Sequence, residues 1–137
     1  MNNTVMTVEA TPSLVRLTHI TYGLHAIGLA LGIFGASTVV GAFLGLPSVA
    51  ALIINYVKRG DVRGTWLESH FSWQIRTFWW VLAWAVLIVV VSAPLVLLLG
   101  LGLVTGWVGL ALLGLWAIYR IARGWLRLQA RQSMPMA

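Results

Sequence analysis

The run LTHITYGLHAIGLALGIFGASTVVGAFLGLPSVAALIINYV, Leu17 to Val57, contains no Lys, Arg, Asp or Glu. A helix that crosses a bilayer needs roughly 20 predominantly apolar residues, so this run has the length of two spans. GAST, Gly35 to Thr38, is the hinge between them, because Gly tolerates turn geometry and Ser37 or Thr38 can cap the next helix. Working outward, span 1 is predicted over residues 12–35, with Thr11 as N-cap and Pro12 at the first helical position. Span 2 is predicted over residues 39–59, stopping at Gly60 after Lys58 and Arg59. Pro47 then falls in the middle of span 2 and kinks it, which membrane helices tolerate when neighbours satisfy the freed carbonyl.

Composition points the same way. The chain has 137 residues, 60% hydrophobic and 9% charged, with mean hydropathy +0.91, against roughly 25% charged residues in an ordinary soluble domain. Cys is absent, which excludes disulfides, thiolate metal sites and a cysteine nucleophile. The formal net charge is +6. The basic residues sit beside long apolar runs, so anionic lipid headgroups are a better counter-charge than nucleic acid. The N-terminus has no basic residue before Arg16 and no small-residue cleavage site. It does not read as a cleaved secretory signal, and span 1 is expected to be retained.

TWLE, Thr65 to Glu68, has the form of a capping box, in which the Thr65 hydroxyl accepts from the Glu68 amide and the Glu68 carboxylate from the Thr65 amide. Span 3 is therefore predicted over residues 66–99, longer than a bilayer requires at about 1.5 Å per residue. Span 4 is predicted over residues 103–119, and its helix continues as a basic tail over residues 120–132. Of the nine basic residues, Arg16 precedes span 1, Lys58, Arg59, Arg63 and Arg76 lie between spans 2 and 3, and the remainder follow span 4. GAST and LGLGLVTG, the two opposite connections, carry none. By the positive-inside rule both termini and the central loop face the cytoplasm.

The charges crowd into GDVRGTWLESHFSWQIRTFWW, residues 60–80. On a helix starting at Trp66, the residues Leu67, Phe71, Ile75 and Phe78 form one stripe, and Glu68, Ser72 and Arg76 another. A third face carries Trp66, His70, Trp73 and Thr77, with Gln74 at its border. This is the pattern of an interfacial segment feeding a span, with Trp66 and Trp73 at headgroup level and Arg76 snorkelling towards water. That pattern leaves His70 unexplained, since an imidazole at a membrane boundary is costly without a hydrogen-bond partner. Span 1 offers Thr18, His19, Tyr22 and His25. The preferred account is a buried polar knot of His19, Tyr22, His25, His70 and Gln74, because such residues in membranes face the protein interior.

Three sharper readings compete with it. Bis-imidazole haem ligation would set His19 or His25 opposite His70, without a spacing signature behind it. A zinc site from the three His residues has no carboxylate placed to orient the imidazoles. A proton or ion relay through His70, Glu68 and His25 meets the difficulty that no carboxylate lies within a span. Asp61 and Glu68 do not assemble a catalytic constellation, so the chain is read as non-enzymatic, without metal or cofactor.

In the tail, Arg120, Arg123, Arg127 and Arg131 share a narrow face while Ile121, Trp125 and Leu128 cover another. That pattern predicts a basic amphipathic helix at the cytoplasmic surface, with anionic lipid as its first partner and an acidic protein or nucleic acid as alternatives. Small residues at four-residue spacing, Gly28/Gly32, Gly41/Gly45 and Gly102/Gly106, let helices approach closely. Packing within one copy is favoured over association between copies.

The order of Pro47, INYVKRGD (Ile54 to Asp61) and LESHFSWQ (Leu67 to Gln74), leading into an aromatic span, resembles the small bacterial membrane proteins named domain of unknown function 4870. That family is grouped with the Tic-twenty-like proteins, relatives of a chloroplast inner-envelope import component. The similarity covers about residues 17–93; Trp73 stands where the family pattern has Phe, and span 4 lies beyond it. The resemblance implies a compact four-helix polytopic protein without established enzymatic activity.

The expectation is thus a single all-α domain over residues 1–137, a polytopic protein of the bacterial inner membrane. Four transmembrane helices form two hairpins with both termini cytoplasmic, span 3 starts at the interface, and helix 4 ends in a basic extension. Three functions follow from different parts of the sequence. A non-enzymatic accessory or interaction subunit would present the 58–76 loop and the anchors Trp66, Trp73, Arg76, Arg120, Arg123, Arg127 and Arg131 to lipid, to a membrane protein or to a second copy. A small transporter or channel component would use a polar path through His19, His25, His70 and Gln74. A haem-binding electron carrier is the third.

Overall fold

The structure, a computed structural model, describes residues 8–35, 45–98 and 100–135. Four helices account for nearly all of them: α1 (Pro12–Gly35), α2 (Leu46–Lys58), α3 (Leu67–Leu97) and α4 (Leu101–Gln129). There is no strand among the described residues. α3 and α4 are long and apolar enough to cross a membrane.

α1 has the predicted bounds, and the Thr11 carbonyl accepts the Leu14 and Val15 amides at 3.0 and 3.1 Å. α2 departs from expectation. It begins at Leu46, after Gly45, whose carbonyl accepts the Ser48 amide at 3.0 Å, so Pro47 occupies its first turn. There a proline ring is compatible with the helix and its missing N–H breaks no bond; the expected mid-helix kink is replaced by a helix start. The GAST hinge beyond Gly35, the Ser37 or Thr38 cap, and Gly41 lie outside the described residues.

Between α2 and α3 the chain makes successive turns, with the Asp61, Arg63 and Thr65 amides donating to the Lys58, Gly60 and Val62 carbonyls. Gly64 takes the left-handed conformation at φ 77°. The expected capping box is shifted. The Glu68 carboxylate accepts from the Gly64 amide at 3.0 Å, and the Thr65 hydroxyl accepts from Leu67 N at 3.2 Å while donating to the Val62 carbonyl at 2.7 Å. The Thr65 amide is already spent on the Val62 carbonyl at 3.1 Å, so the carboxylate takes the Gly64 N–H instead.

α3 contains 31 residues, about 46 Å at 1.5 Å per residue against a hydrocarbon core of roughly 30 Å. Its surplus lies at its start, and that part packs against the rest of the protein. Leu67, Ser69, His70, Phe71, Trp73, Gln74, Ile75 and Thr77 are all buried within the protein. From Trp79 onward the helix turns large apolar side chains outward, including Trp80, Trp84, Val89 and Val90. At the far end Gly100 reverses the chain at φ 71°, so α4 starts at Leu101, earlier than predicted. A Cβ on Gly102 would overlap the backbone at Ser92 O and Val96 N. That missing side chain lets the first turn of α4 slot beneath the last turn of α3.

Gly106 and Gly109 continue this contact against Ser92 and Ile88, and Gly28 of α1 meets Ser48 of α2 with no room for a Cβ. These glycines pack helices within one copy, whereas Gly32 has nothing within 4 Å of its Cβ position. The densest core sits at the end of the molecule that carries the charged loop. Tyr22, Val62, Leu67, Phe71 and Leu128 form it, with Leu14, Val15, Trp66, Ile121 and Trp125 packed around them. We call this end the head.

α4 runs unbroken through the predicted end of span 4 to Gln129. The apolar face of its last turns, Ile121, Trp125 and Leu128, lies on the head core. The expected surface-lying amphipathic tail instead packs its apolar face on the head, with Leu128 buried and Ile121 and Trp125 partly buried. Past Gln129 the chain turns at Arg131, φ 53°, and folds back over the start of α3. Met134 is buried there, and its amide donates to Ser69 Oγ at 2.8 Å.

Candidate functional site: the polar head

Within the head, helix geometry sets which side chains meet. Tyr22 lies near the middle of α1, and its hydroxyl reaches His70 Nδ1 at 3.0 Å across a buried contact. The other ring nitrogen, Nε2, lies 2.7 Å from the Gln132 carbonyl. A carbonyl only accepts, so Nε2 carries the hydrogen, and in the neutral ring Nδ1 accepts from the Tyr22 O–H. Trp66 meets the imidazole edge-on at 5.6 Å, and Tyr22 stacks on Trp125 at 6.4 Å. Both His70 nitrogens are thus committed to the protein's own fold, an arrangement unsuited to ligating haem or zinc. No group of three or more His, Cys, Asp or Glu among the described residues is placed to hold a metal ion.

The rest of the expected knot divides into separate contacts. His19 Nδ1 accepts from Trp125 Nε1 at 3.0 Å, linking α1 to α4. Gln74 Oε1 accepts from Asn55 Nδ2 at 2.9 Å, linking α3 to α2. His25 stands beside Phe78, with ring centroids 6.4 Å apart. Thr18 spends its hydroxyl on the Leu14 carbonyl. Glu68, the carboxylate of the imagined relay, is occupied at Gly64. Of the polar path through His19, His25, His70 and Gln74, His25 and Gln74 line one cavity, while His19 and His70 are hydrogen-bonded to Trp125 and to Tyr22 and Gln132.

The anchor residues are redistributed. Trp73 is buried and donates Nε1–H to the Arg120 carbonyl at 3.1 Å. Arg120 turns inward: its guanidinium lies 3.8 Å from the Trp73 ring centroid and 5.0 Å from that of Trp116, and its Nε donates to Thr77 Oγ1 at 2.9 Å. Arg76 reaches the Pro135 carbonyl at 3.5 Å and Arg127 the Ser133 carbonyl at 3.2 Å, so both hold the returning C-terminal segment. Arg123 donates to Tyr119 Oη at 3.0 Å. Sequence reasoning passed over Asn55, Trp116, Gln132 and Met134. Asn55 alone left a signal, an amide inside the apolar run ALIINYV.

The exposed charges gather at this same end. Arg16, Lys58, Arg59, Arg63 and Arg131 are exposed, and of the three acidic residues Asp61 is paired with Lys58 at 2.9 Å while Glu68 caps the Gly64 turn. The head presents a basic surface over a polar core, and α3 and α4 present apolar side chains beyond it. No protein-family model, curated protein or solved structure matches the chain.

Proposed function

We propose that the chain is a four-span protein of the bacterial inner membrane, with both termini in the cytoplasm, that acts as a non-enzymatic accessory subunit. Its basic head docks on an acidic surface: anionic headgroups of its own leaflet, and through them or beside them an acidic face of a membrane protein. The observation that carries this reading is the separation of surfaces. Exposed Arg16, Lys58, Arg59, Arg63 and Arg131 flank the single head core, while only 6% and 17% of the most apolar stretches of α3 and α4 are buried. A core helix of a soluble protein would be mostly buried, and exposed apolar area on this scale calls for lipid. α1 and α2 also expose Ile20, Ile27, Val49 and Ile53, apolar side chains that a lipid surround would cover.

The absence of Cys makes topology directly testable. Single cysteines at Arg63 and at Leu101, in the turn between α3 and α4, should label with a membrane-impermeant maleimide from opposite sides, Arg63 from the cytoplasm; labelling from one side refutes the spanning arrangement. For docking, tagged protein captured from mild detergent should bring down a reproducible membrane partner that is lost on Arg59→Glu with Arg63→Glu. Capture without any such partner removes the accessory role.

A further inference from the structure

α3 and α4 set their own depth in a membrane. Residues 77–119 contain no Lys, Arg, Asp or Glu. Gly106 faces Ser92, Gly109 faces Ile88 and Arg120 Nε donates to Thr77, a register that puts Trp79 and Trp80 of α3 level with Ile118 and Tyr119 of α4. Trp79, Trp80 and Tyr119 are exposed, and Trp79 Nε1 donates to Tyr56 Oη at 3.0 Å, which brings α2 to the same belt. Exposed Trp and Tyr gather where hydrocarbon meets headgroups. From this belt to the turn at Gly100 each helix runs about 27 Å at 1.5 Å per residue, close to a hydrocarbon core of roughly 30 Å. No residue of α3 from Leu67 to Phe78 is exposed, whereas Trp79 and Trp80 are. Protein therefore surrounds the helix on one side of the belt, and lipid on the other.

The basic residues of the head then stand at unequal heights. Arg123 lies one turn past Tyr119 and donates to its hydroxyl at 3.0 Å, which keeps it within a headgroup layer roughly 5–7 Å deep on each face. Arg63 is on the loop whose Val62 packs on Leu67, about 18 Å above Trp79 along α3. Tyr22 meets His70 and Gly124; Arg16 precedes Tyr22, and Arg131 follows Gly124, by about 9 Å or more of further rise. These three clear the headgroup layer by about 10 Å, more than the screening length of about 8 Å at physiological salt. They are exposed, and the same head exposes the apolar Ile20, Val57 and Leu126. Arginine beside apolar side chains is a composition suited to a protein interface.

We propose that the upper charges, Arg16, Arg63 and Arg131, bind an acidic face of a partner protein, while Arg123 serves the lipid headgroups. The assignment rests on the membrane reading and gives each of its two acidic surfaces a separate tier of the head.

The test uses the full chain in nanodiscs, with single nitroxide labels on Arg16→Cys, Arg63→Cys, Arg123→Cys and Trp84→Cys. A nickel-chelating lipid should relax the label at Arg123 and leave those at Arg16 and Arg63, which should answer to a soluble nickel complex; the label at Trp84 should answer to oxygen alone. Poly-glutamate, as the acidic probe in zwitterionic discs, should bind about tenfold more weakly to the Arg16→Glu, Arg63→Glu double variant and within about twofold of the native affinity to Arg123→Glu. Relaxation of the Arg16 and Arg63 labels by the chelating lipid as strongly as at Arg123 would overturn the proposal in favour of headgroups. Tighter binding of an oligothymidylate of equal charge would overturn it in favour of nucleic acid, and poly-glutamate binding indifferent to the double variant would overturn it outright. A water-accessible label at Trp84 would remove the membrane reading itself and the proposal with it, so the two failures are told apart by that label.

Discussion

Tyr22 and His70, on α1 and α3, are joined by a buried 3.0 Å hydrogen bond that fixes the rotation of both helices about their axes. Because His70 Nε2–H is held by the Gln132 carbonyl, the ring presents an acceptor to Tyr22, and three chain segments meet at one imidazole. Removing the donor leaves a buried acceptor unmade, so Tyr22→Phe should lower stability by about 1–3 kcal/mol. In a double-mutant cycle with His70→Phe, the combined loss should be smaller than the sum of the single losses. Thermal unfolding in detergent measures it, and additive losses would mean the two side chains do not interact.

The returning C-terminal segment closes the head. A chain ending at Gln129 loses the Gln132 carbonyl, the Met134 bond to Ser69 and the burial of Met134. Amides of residues 67–74 should then exchange faster with solvent, and the head should lose upwards of about 2 kcal/mol. Hydrogen-exchange mass spectrometry separates this local opening from global unfolding, which would accelerate residues 80–98 as well.

Two glycines in the same bundle should respond differently to alanine. A Cβ on Gly124 would overlap the ring and hydroxyl of Tyr22, while one on Gly32 meets nothing within 4 Å. Gly124→Ala is expected to destabilise by about 1–3 kcal/mol through overpacking. Gly32→Ala should be neutral or slightly stabilising, as alanine is the better helix former by up to about 1 kcal/mol. Equal effects at the two positions would contradict the packing described.

Arg120 is held as a planar group between Trp73 and Trp116 with its Nε on Thr77. Lysine keeps the charge but neither the plane nor the Nε donor, so Arg120→Lys should cost about 1 kcal/mol. The same change at Arg123, whose partner Tyr119 is exposed, should stay within about 0.5 kcal/mol. Comparing their unfolding midpoints tests whether Arg120 belongs to the fold or to the outer surface.

The features legible in the sequence are those set by neighbours along the chain. Pro12 after Thr11 marks the start of α1, the TWLE segment marks the start of α3 to within a residue, and apolar length sets how far α3 and α4 run. The gathering of basic residues into one half of the hairpins is likewise a linear pattern. Local rules misled at Pro47, where apolar composition alone could not tell a helix interior from a first turn. They misled again at Trp73, which is buried, since its amphipathic spacing is the same whether the polar face meets headgroups or another helix.

What tertiary structure alone decided is the pairing. Helical periodicity places Thr18, His19, Tyr22 and His25 on α1 but leaves the rotation of that helix against α3 open, so four partners for His70 were equivalent in sequence. Packing of Tyr22 over Gly124 resolves the choice, because only a residue without Cβ admits the ring there. His70's second partner is a backbone carbonyl, brought to it by the reversal at Arg131. Every residue carries such a carbonyl, so no side chain in the sequence could announce it. Arg120 shows the same division: its position on the helix follows from spacing, but its inward turn follows from the Trp73 and Trp116 rings and the Thr77 hydroxyl that receive it.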